Sequence, residues 1–321
     1  MTLPQIGALR EAAAIVHRAI PPTPQIRWPL VCARAGAEVW IKHENHTQLG
    51  AFKIRGGLVY MEKLRAAEPN VSGVIAATRG NHGQSVAFAA ARAGIRAVIV
   101  VPHGNSREKN AAMRSLGAEL VEHGADFQDA FEYAAGMAQA QSLHFVPSFG
   151  RALISGVASY SLELFEAVSD LDAVYIPIGM GSGICGAIAA RNALGLKTEI
   201  VGVVAAGAPA YALSFAAGRP VSTDAAETFA DGMACRTPDP EAVSAILAGV
   251  SRIITVNEDQ IRTAMRSLFC DTHNVAEGAG AAAFAALLQD RARIEGRRVA
   301  AILSGGNVDR EVFARALAEE P

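Results

Sequence analysis

The stretch IPIGMGSGICG, residues 176–186, changes from apolar residues to glycines and then to small residues that suit a helix. This order predicts a strand, a glycine loop and a helix in direct succession. The glycines let backbone N–H groups converge on an anion, and the N-terminus of the helix adds a favourable dipole. We therefore predict a phosphate-binding loop at residues 179–183.

The same loop matches the fingerprint of dinucleotide-binding proteins through Gly181, Gly183 and Gly186. That fingerprint expects an acidic residue at the end of the next strand, where it binds a ribose hydroxyl. The next predicted strand, residues 199–205, ends in valine and alanine instead. A nicotinamide-dependent oxidoreductase is therefore a disfavoured alternative.

Strand-like and helix-like segments alternate along most of the chain. The predicted strands are 71–77, 96–102, 118–123, 173–179, 199–205 and 299–306, and the predicted helices include 82–94, 106–117 and 127–141. This alternation is typical of an α/β protein in which helices cover both faces of parallel sheets. The regular spacing between residues 71 and 145 predicts a compact domain of its own, with an exit near residues 147–151.

Two further loops follow predicted strands. TRGNHGQS, residues 78–85, has two glycines and the amide of Asn81 at the start of a helix, which suits a carboxylate. An ordinary helix cap explains Asn81 equally well. In LSGGNVD, residues 303–309, Ser304 lies at the carboxyl edge of a strand, where open α/β sheets bind ligands. An ordinary turn would have the same composition.

The stretch HENHTQLGAFKIRGG, residues 43–57, places Lys53 directly after a phenylalanine, among glycines and polar residues. This lysine could be a solvated charge, a phosphate ligand or a covalent attachment point. Together with a phosphate loop, a carboxylate loop and a neutral hydroxyl, the third role fits an enzyme that uses pyridoxal phosphate. Lysine forms a Schiff base with that cofactor, and burial would lower its pKa.

Five motifs occur in the order and spacing of the fold-type II pyridoxal-phosphate enzymes: GAFKIRGG, TRGNHGQS, GMGSG, FADGMACR (229–236) and LSGGNVD. The chain resembles the threonine/serine dehydratase branch of that group over nearly its whole length. The resemblance implies two doubly wound open-sheet domains, similar to the β-subunit of tryptophan synthase, with the cofactor in the cleft between them. We expect a small domain at residues 66–150 and a large domain at residues 1–65 and 151–321.

The resemblance also implies the roles of individual residues. Lys53 bonds the cofactor and acts as the catalytic base, and Phe52 packs beside the cofactor. Asn81 reaches the cofactor's ring hydroxyl, and Ser304 meets its pyridine nitrogen. The implied cofactor-binding set is Phe52, Lys53, Asn81, Gly179, Met180, Gly181, Ser182, Gly183, Gly232, Glu277 and Ser304. The implied substrate-binding set is Thr78, Arg79, Gly80, Asn81 and His82.

These roles lead us to expect a dehydratase (ammonia-lyase) that converts a 3-hydroxy amino acid to a 2-oxo acid and ammonia. The substrate would be threonine- or serine-like, or a bulkier or charged analogue. A β-replacement enzyme of the cysteine synthase type is an alternative in the same fold, but such enzymes have a threonine where this chain has His82. A non-catalytic cofactor carrier is a further alternative, against which Lys53 argues.

Arg79 stands where the family usually has a small residue. Members that racemise serine use a hydroxyl there, and arginine is a poor acid or base, so racemisation is disfavoured. We hypothesise that Arg79 binds a carboxylate or another polar group on an unusual substrate. A guanidinium that is turned to solvent or pairs with the other domain is an equally consistent alternative. Dehydratases of the branch that this chain resembles act on phenylserine, hydroxyaspartate or intermediates of hydroxyectoine breakdown, and all three stay open. No acid lies between residues 205 and 224, so no divalent metal is expected there.

The composition fits a globular enzyme, because 51% of the 321 residues are apolar and 19% are charged. The net charge of −2 predicts no nucleic-acid or membrane partner. Four cysteines without a CxxC pair indicate free thiols in a reducing compartment. The charged residues within positions 1–20 favour an amphipathic helix over a signal peptide. We expect a cytoplasmic enzyme that acts on a small amino acid and, by resemblance, a homodimer.

Overall fold

The computed structural model describes residues 2–318. Residue 1 and residues 319–321, which belong to the expected large domain, lie outside the described residues. Within residues 2–318, ten strands form two sheets. The strands are β1 Gln25–Ile26, β2 Glu38–His43, β3 Gly73–Ala77, β4 Arg96–Val101, β5 Glu119–Glu122, β6 His144–Phe145, β7 Ala173–Pro177, β8 Glu199–Ala205, β9 Arg252–Val256 and β10 Arg298–Leu303.

Fourteen α-helices accompany these strands in the described part of the chain. They are α1 Ile6–His17, α2 Pro29–Ala35, α3 Lys53–Ala67, α4 Asn81–Ala93, α5 Arg107–Ser115, α6 Phe127–Ala140, α7 Arg151–Ala167, α8 Ser182–Ala193, α9 Ala210–Ala217, α10 Pro240–Gly249, α11 Glu258–Thr272, α12 Gly278–Gln289, α13 Arg291–Ile294 and α14 Arg310–Ala318. No helix between residues 2 and 318 has the length and apolar character that a bilayer-spanning segment requires.

The large sheet has the strand order β1-β2-β10-β7-β8-β9. All neighbouring strands are parallel except β1, which pairs antiparallel with β2. β10 lies inside the sheet, where Val299 pairs with Val39 on one side and with Ala173 on the other. Apolar residues of α7 and α8 cover one face, and those of α12 cover the other. Burial on both faces explains why these strands read as nearly continuous apolar runs.

The small sheet has the order β5-β4-β3-β6, and all of its pairs are parallel. Residues of α4 pack on one face and residues of α6 pack on the other. All four strands lie within residues 66–150. The fold is therefore α/β with two helix-covered open sheets, as the sequence predicted, while the domain boundaries themselves stay a prediction.

The six strands that the sequence predicted are all present, as β3, β4, β5, β7, β8 and β10. Four strands were missed. β1 and β6 have two residues each, which is too short to show a period. β2, EVWIKH, carries charges that mask its apolar residues, and most of β9 is half-buried at the sheet edge. Strand propensity and residue pattern do not predict these four strands, because each is stabilised mainly by hydrogen bonds to a neighbouring strand.

Helix α3, which begins at Lys53, packs against both α4 and α7. A Cβ on Gly57 would collide with Ser85 of α4, and a Cβ on Gly156 of α7 would collide with the carbonyl oxygen of Arg55. The helices can approach this closely only because glycine has no side chain. This close packing fixes the position of Lys53 relative to both sheets.

A buried charge cluster holds the first turn of α3. Arg55 Nε donates to Glu44 Oε2 (2.7 Å), and its Nη1 donates to Glu163 Oε1 (2.6 Å). Glu163 also accepts from Lys42 Nζ at 2.6 Å. Although burial opposes it, the charges of Arg55 and Lys42 lower the pKa of Glu163 to about 2. The carboxylate therefore stays ionised in the interior, where it needs these partners.

We expect Arg55→Met to lower the free energy of unfolding by about 3–5 kcal/mol, because it leaves two carboxylates without their main partner inside the protein. Arg96→Met is the matched control, because Arg96 pairs with Glu119 on the surface and such pairs contribute at most about 1 kcal/mol. Denaturant titration of both variants measures the difference. Equal losses would contradict a structural role for the buried cluster.

Candidate active site

A cavity of about 490 Å³ opens between the two sheets, at the carboxyl ends of β3, β7 and β10. Every residue that the sequence analysis assigned to the cofactor or substrate lines this cavity. They come from the start of α3, the loop before α4, the loop between β7 and α8, and positions 232, 277 and 304. Segments that are distant in the sequence therefore meet at one site.

Lys53 is the first residue of α3 and lies half-buried in the cavity. Its Nζ donates to Ser182 Oγ (3.3 Å) and lies 5.3 Å from the centre of the Phe52 ring. Ser85 Oγ donates to the Lys53 carbonyl (2.6 Å), which holds the start of the helix. Burial lowers the pKa of Lys53 to about 8, and no carboxylate within residues 2–318 offsets this effect. An appreciable fraction of the amine is neutral near pH 7, so it can act as a nucleophile or a base.

The loop between β7 and α8 presents free backbone donors. None of the N–H groups of residues 179–184 donates to another group within residues 2–318. The carbonyls of the loop are bound instead: Tyr211 Oη donates to Met180 O (3.0 Å), and Tyr160 Oη donates to Gly183 O (3.2 Å). Free N–H groups at the N-terminus of a helix form an anion-binding site.

The glycines of this loop are required by their surroundings. A Cβ on Gly179 would collide with the carbonyl oxygen of Gly232. Gly181 has a φ of +97°, a conformation that L side chains rarely adopt, and its Cβ would lie 2.9 Å from Ala242 Cβ. Glycine at both positions therefore allows this loop to keep its conformation against Gly232 and Ala242.

The loop before α4 supplies a second group of donors. Thr78 Oγ1 accepts from the N–H of Gly80 (2.9 Å) and from the N–H of Gly83 (3.2 Å), which fixes the turn. The N–H groups of residues 79, 81 and 82 have no acceptor within the described residues. These three groups, at the N-terminus of a helix, suit a carboxylate.

The side chain of Asn81 is held by residues that follow the large sheet. Its Nδ2 donates to Glu277 Oε1 (2.6 Å), and its Oδ1 accepts from Asn307 Nδ2 (2.9 Å). Nδ2 carries two protons, and the second has no acceptor within residues 2–318. One amide proton of Asn81 therefore remains available to a ligand.

Lys109 of α5, which the sequence analysis did not identify, links the two sheets. Its Nζ donates to Asp231 Oδ2 (2.7 Å) and to Glu277 Oε2 (2.9 Å). Although burial opposes it, these two carboxylates raise the pKa of Lys109 above the ordinary lysine value. The one signal in the sequence is that Lys109 precedes buried Met113 by one helical turn. A charge on the buried face of a helix indicates a distant partner.

Ser304 directly follows β10, and its side chain is buried. Its Oγ donates to the carbonyl of Ala279 (3.3 Å), and its own carbonyl accepts from the N–H of Phe52 (3.0 Å). The group that the strand end presents to the cavity is therefore a neutral hydroxyl and not an acid.

Two polar atoms at this site are buried without a partner within residues 2–318. They are Nε2 of His82 and Nε of Arg79. Burial lowers the pKa of His82 to about 3, and the positive charge of Lys53 adds to this effect. His82 is therefore neutral at physiological pH. A ligand or an ordered water would supply the missing partners of these two atoms.

The cavity also contains residues that the sequence analysis did not assign. Phe127 and Phe131 of α6 line it, as do Asp126 and Arg236. Arg236 Nη1 lies 3.5 Å from Asp126 Oδ2, and both side chains are partly exposed. Arg236 ends the motif FADGMACR and Asp126 follows β5, but no local pattern assigned a role to any of these four residues.

The residues present fit pyridoxal phosphate. An amine without a carboxylate partner lies in the same cavity as a helix N-terminus whose N–H groups are free. Glycines at positions 179 and 181 let that loop pack closely against Gly232 and Ala242, where side chains would collide. A neutral hydroxyl stands at the neighbouring strand end. These are the groups that an aldehyde, a phosphate and an aromatic ring nitrogen require.

Comparison with known proteins finds similar sequences and similar structures. Residues 16–305 match the family described as pyridoxal-phosphate dependent enzymes. The L-threonine ammonia-lyase of Thermotoga maritima is 34% identical over 281 residues, which are 87% of this chain and 70% of that protein. The solved structure of the processed form of threonine deaminase isoform 2 from Solanum lycopersicum superposes with a TM-score of 0.88 at 28% identity, covering 99% of this chain and 96% of that one.

Several relatives are longer than this chain. The biosynthetic L-threonine dehydratase of Salmonella typhimurium is 34% identical over 299 residues, and these cover 92% of this chain but only 58% of that protein. The chain thus spans little more than half the length of this relative. The similarity covers the part that contains the cavity described above.

We expect Lys53 in the cofactor-free protein to react with acetic anhydride with a pH midpoint near 8, because burial lowers the pKa of its amine to about 8. The amine is protonated and unreactive below that midpoint. Peptide mass mapping after brief labelling at a series of pH values gives the profile. An N-acetylated peptide of residues 50–57 is the control, and its lysine should titrate near the ordinary value of about 10.4. Coincident profiles would contradict the buried environment of Lys53.

Proposed function

The chain belongs to the family of pyridoxal-phosphate dependent enzymes, and from this premise we propose that it is a dehydratase (ammonia-lyase) for a 3-hydroxy amino acid. The observation that carries the proposal is the amine of Lys53. It has no carboxylate partner among the described residues, has a lowered pKa, and lies 3.3 Å from Ser182 at the start of an anion-binding helix. In the reaction, one water leaves the substrate and one is taken up, so the products are a 2-oxo acid and ammonia.

The proposal assigns the cofactor's contacts to groups that are free in the cavity. The N–H groups of residues 179–183 would hold the phosphate, and Phe52 would pack beside the ring. The free amide proton of Asn81 would reach the ring hydroxyl. Ser304 would face the ring nitrogen. Gly232 and Glu277 would complete the lining of the cofactor site. Gly232 packs against the phosphate loop, and Glu277 accepts a hydrogen bond from Asn81.

When bound, pyridoxal phosphate supplies the electron withdrawal that makes the substrate's Cα proton acidic. Lys53 Nζ is the group that takes this proton, because its lowered pKa leaves an appreciable fraction of the amine neutral. Ser182 Oγ orients the amine through their hydrogen bond. His82 remains neutral, so it adds no second cation beside Lys53.

The substrate carboxylate would bind the loop before α4. The N–H groups of residues 79, 81 and 82 are free to donate to it. Thr78 fixes the turn by accepting from the N–H groups of Gly80 and Gly83. The carboxylate would thereby hold Cα in a fixed place, which brings its proton within reach of one base.

Two alternatives differ in what they require. The family assignment decides against a nicotinamide-dependent oxidoreductase. A β-replacement enzyme would use the same cofactor and lysine but would need a second, nucleophilic substrate. His82 rather than threonine after Asn81 favours elimination, and an assay for both reactions separates the two.

We also propose that the enzyme is cytoplasmic and homodimeric, and that serine belongs to its substrate range. The four cysteines are free thiols, which favours a reducing compartment. Leu30 on α2 is 59% exposed, which is consistent with a covered surface in a dimer.

The experiment that tests the proposal is a panel of 3-hydroxy amino acids offered to the purified holoenzyme, with ammonia and 2-oxo acid measured in parallel. At least one member should give both products in equal amounts. Lys53→Ala should lower kcat/KM by about 10²–10⁴-fold or more, because the base is lost. Lys63→Ala, on the exposed face of the same helix, is the matched control and should leave kcat/KM unchanged. Formation of a β-substituted amino acid from a thiol, with no 2-oxo acid from any panel member, would overturn the proposal.

A further inference from the structure

Arg79 differs from the other cations of the cavity in having no partner. Lys109 is neutralised by Asp231 and Glu277. Arg236 lies 3.5 Å from Asp126. Within residues 2–318, the guanidinium of Arg79 forms no hydrogen bond or ion pair, and its Nε is buried. The cavity therefore contains one permanent positive charge that the protein itself does not compensate.

An anionic ligand would offset the cost of leaving the buried Nε of Arg79 without an acceptor. Arginine cannot lose its proton in a protein, so it cannot become neutral as a buried lysine or histidine can. A partly buried donor without an acceptor is destabilising. An anion that binds the guanidinium of Arg79 recovers the free energy lost by its unpaired donors. A carboxylate matches the guanidinium geometry with two parallel hydrogen bonds.

The two anions that the proposed function already requires have other places to bind. The free N–H groups of residues 179–184 suit the cofactor's phosphate, and those of residues 79, 81 and 82 suit the α-carboxylate. The side chain of Arg79 starts from this second loop. A second carboxylate on the same substrate, separated from the first by only two carbons, would therefore lie within reach of the guanidinium.

We propose that Arg79 binds a carboxylate attached to the β-carbon, and that the substrate is a 3-hydroxy amino dicarboxylic acid, a 3-hydroxyaspartate. This inference rests on the proposed dehydratase activity. The hydroxyl leaves the β-carbon as water, the carboxylate stays in place, and hydrolysis releases ammonia and 2-oxobutanedioate. Arg79 acts as a specificity residue and not as an acid or a base.

An aromatic substrate is the competing occupant, because Phe127 and Phe131 also line the cavity. These rings already have partners. The ring of Phe131 packs edge-to-face on that of Phe145, with 5.1 Å between the ring centres. The ring centres of Phe127 and Phe131 are 6.2 Å apart. Phe131 remains 36% exposed, but both rings have aromatic neighbours, whereas the guanidinium of Arg79 has no anion within residues 2–318. The observations therefore favour the carboxylate over a phenyl group.

The first test compares substrates on holoenzyme variants. The wild-type protein should have a higher kcat/KM for one of the 3-hydroxyaspartate diastereomers than for threonine or 3-phenylserine. Arg79→Gln should lower kcat/KM for 3-hydroxyaspartate at least about 30-fold more than it lowers kcat/KM for threonine. Arg79→Lys should restore part of the loss, because it restores the charge. Arg96→Gln, the same change at an exposed arginine, is the control that should alter neither.

The second test measures binding without turnover. L-Malate carries both carboxylates but no amine, so it cannot react, and 2-hydroxybutyrate is the matched monoanion. Malate should raise the Tm of the wild-type holoenzyme more than 2-hydroxybutyrate does, and Arg79→Gln should abolish the difference. This readout decides the role of Arg79 even if no panel member is turned over, an outcome that would overturn the proposed function separately.

Three results would overturn the inference. Equal losses for threonine and 3-hydroxyaspartate in Arg79→Gln would place Arg79 at the α-carboxylate instead. Faster turnover of 3-phenylserine than of 3-hydroxyaspartate would assign the space to an aromatic ring. Equal Tm shifts by malate and 2-hydroxybutyrate in the wild-type protein would show that no second carboxylate is bound.

Discussion

The site depends on one energetic constraint: the amine of Lys53 is partly desolvated, and no carboxylate within the described residues compensates it. Burial lowers its pKa to about 8, so the protein carries the cost of a poorly solvated cation in exchange for a reactive neutral amine. A neighbouring acid would remove both the cost and the reactivity. The nearest polar partner is instead the hydroxyl of Ser182, at 3.3 Å.

The surrounding charges are arranged to keep this amine uncompensated. Glu44 and Glu163 are occupied by Arg55, and Asp231 and Glu277 are occupied by Lys109. The first cluster anchors α3, which begins at Lys53. The second joins the small sheet to the large one and holds Asn81 through Glu277. Each of these acids is therefore paired with a cation, which leaves Lys53 and Arg79 as the cations of the cavity that are open to anionic ligands.

Sequence reasoning succeeded where the determinants are local. A buried parallel strand, a glycine loop and a helix start are each encoded within a few residues, so the loops at 78–82 and 179–183 and the position of Lys53 could be predicted before any contact was known. It failed where the determinants are distant. Lys109 bonds partners 122 and 168 residues away, and Arg55 bonds one 108 residues away. No local pattern specifies such pairs, and β1 and β6 are too short to show one.

The most direct test of the central claim locates the cofactor on the chain. Borohydride reduction of the holoenzyme, followed by proteolysis and mass spectrometry, should place one phosphopyridoxyl group on the peptide that contains Lys53. Lys53→Arg should carry none. Finding the group on another lysine, or finding the wild-type peptide unmodified in holoenzyme that contains the cofactor, would contradict the account.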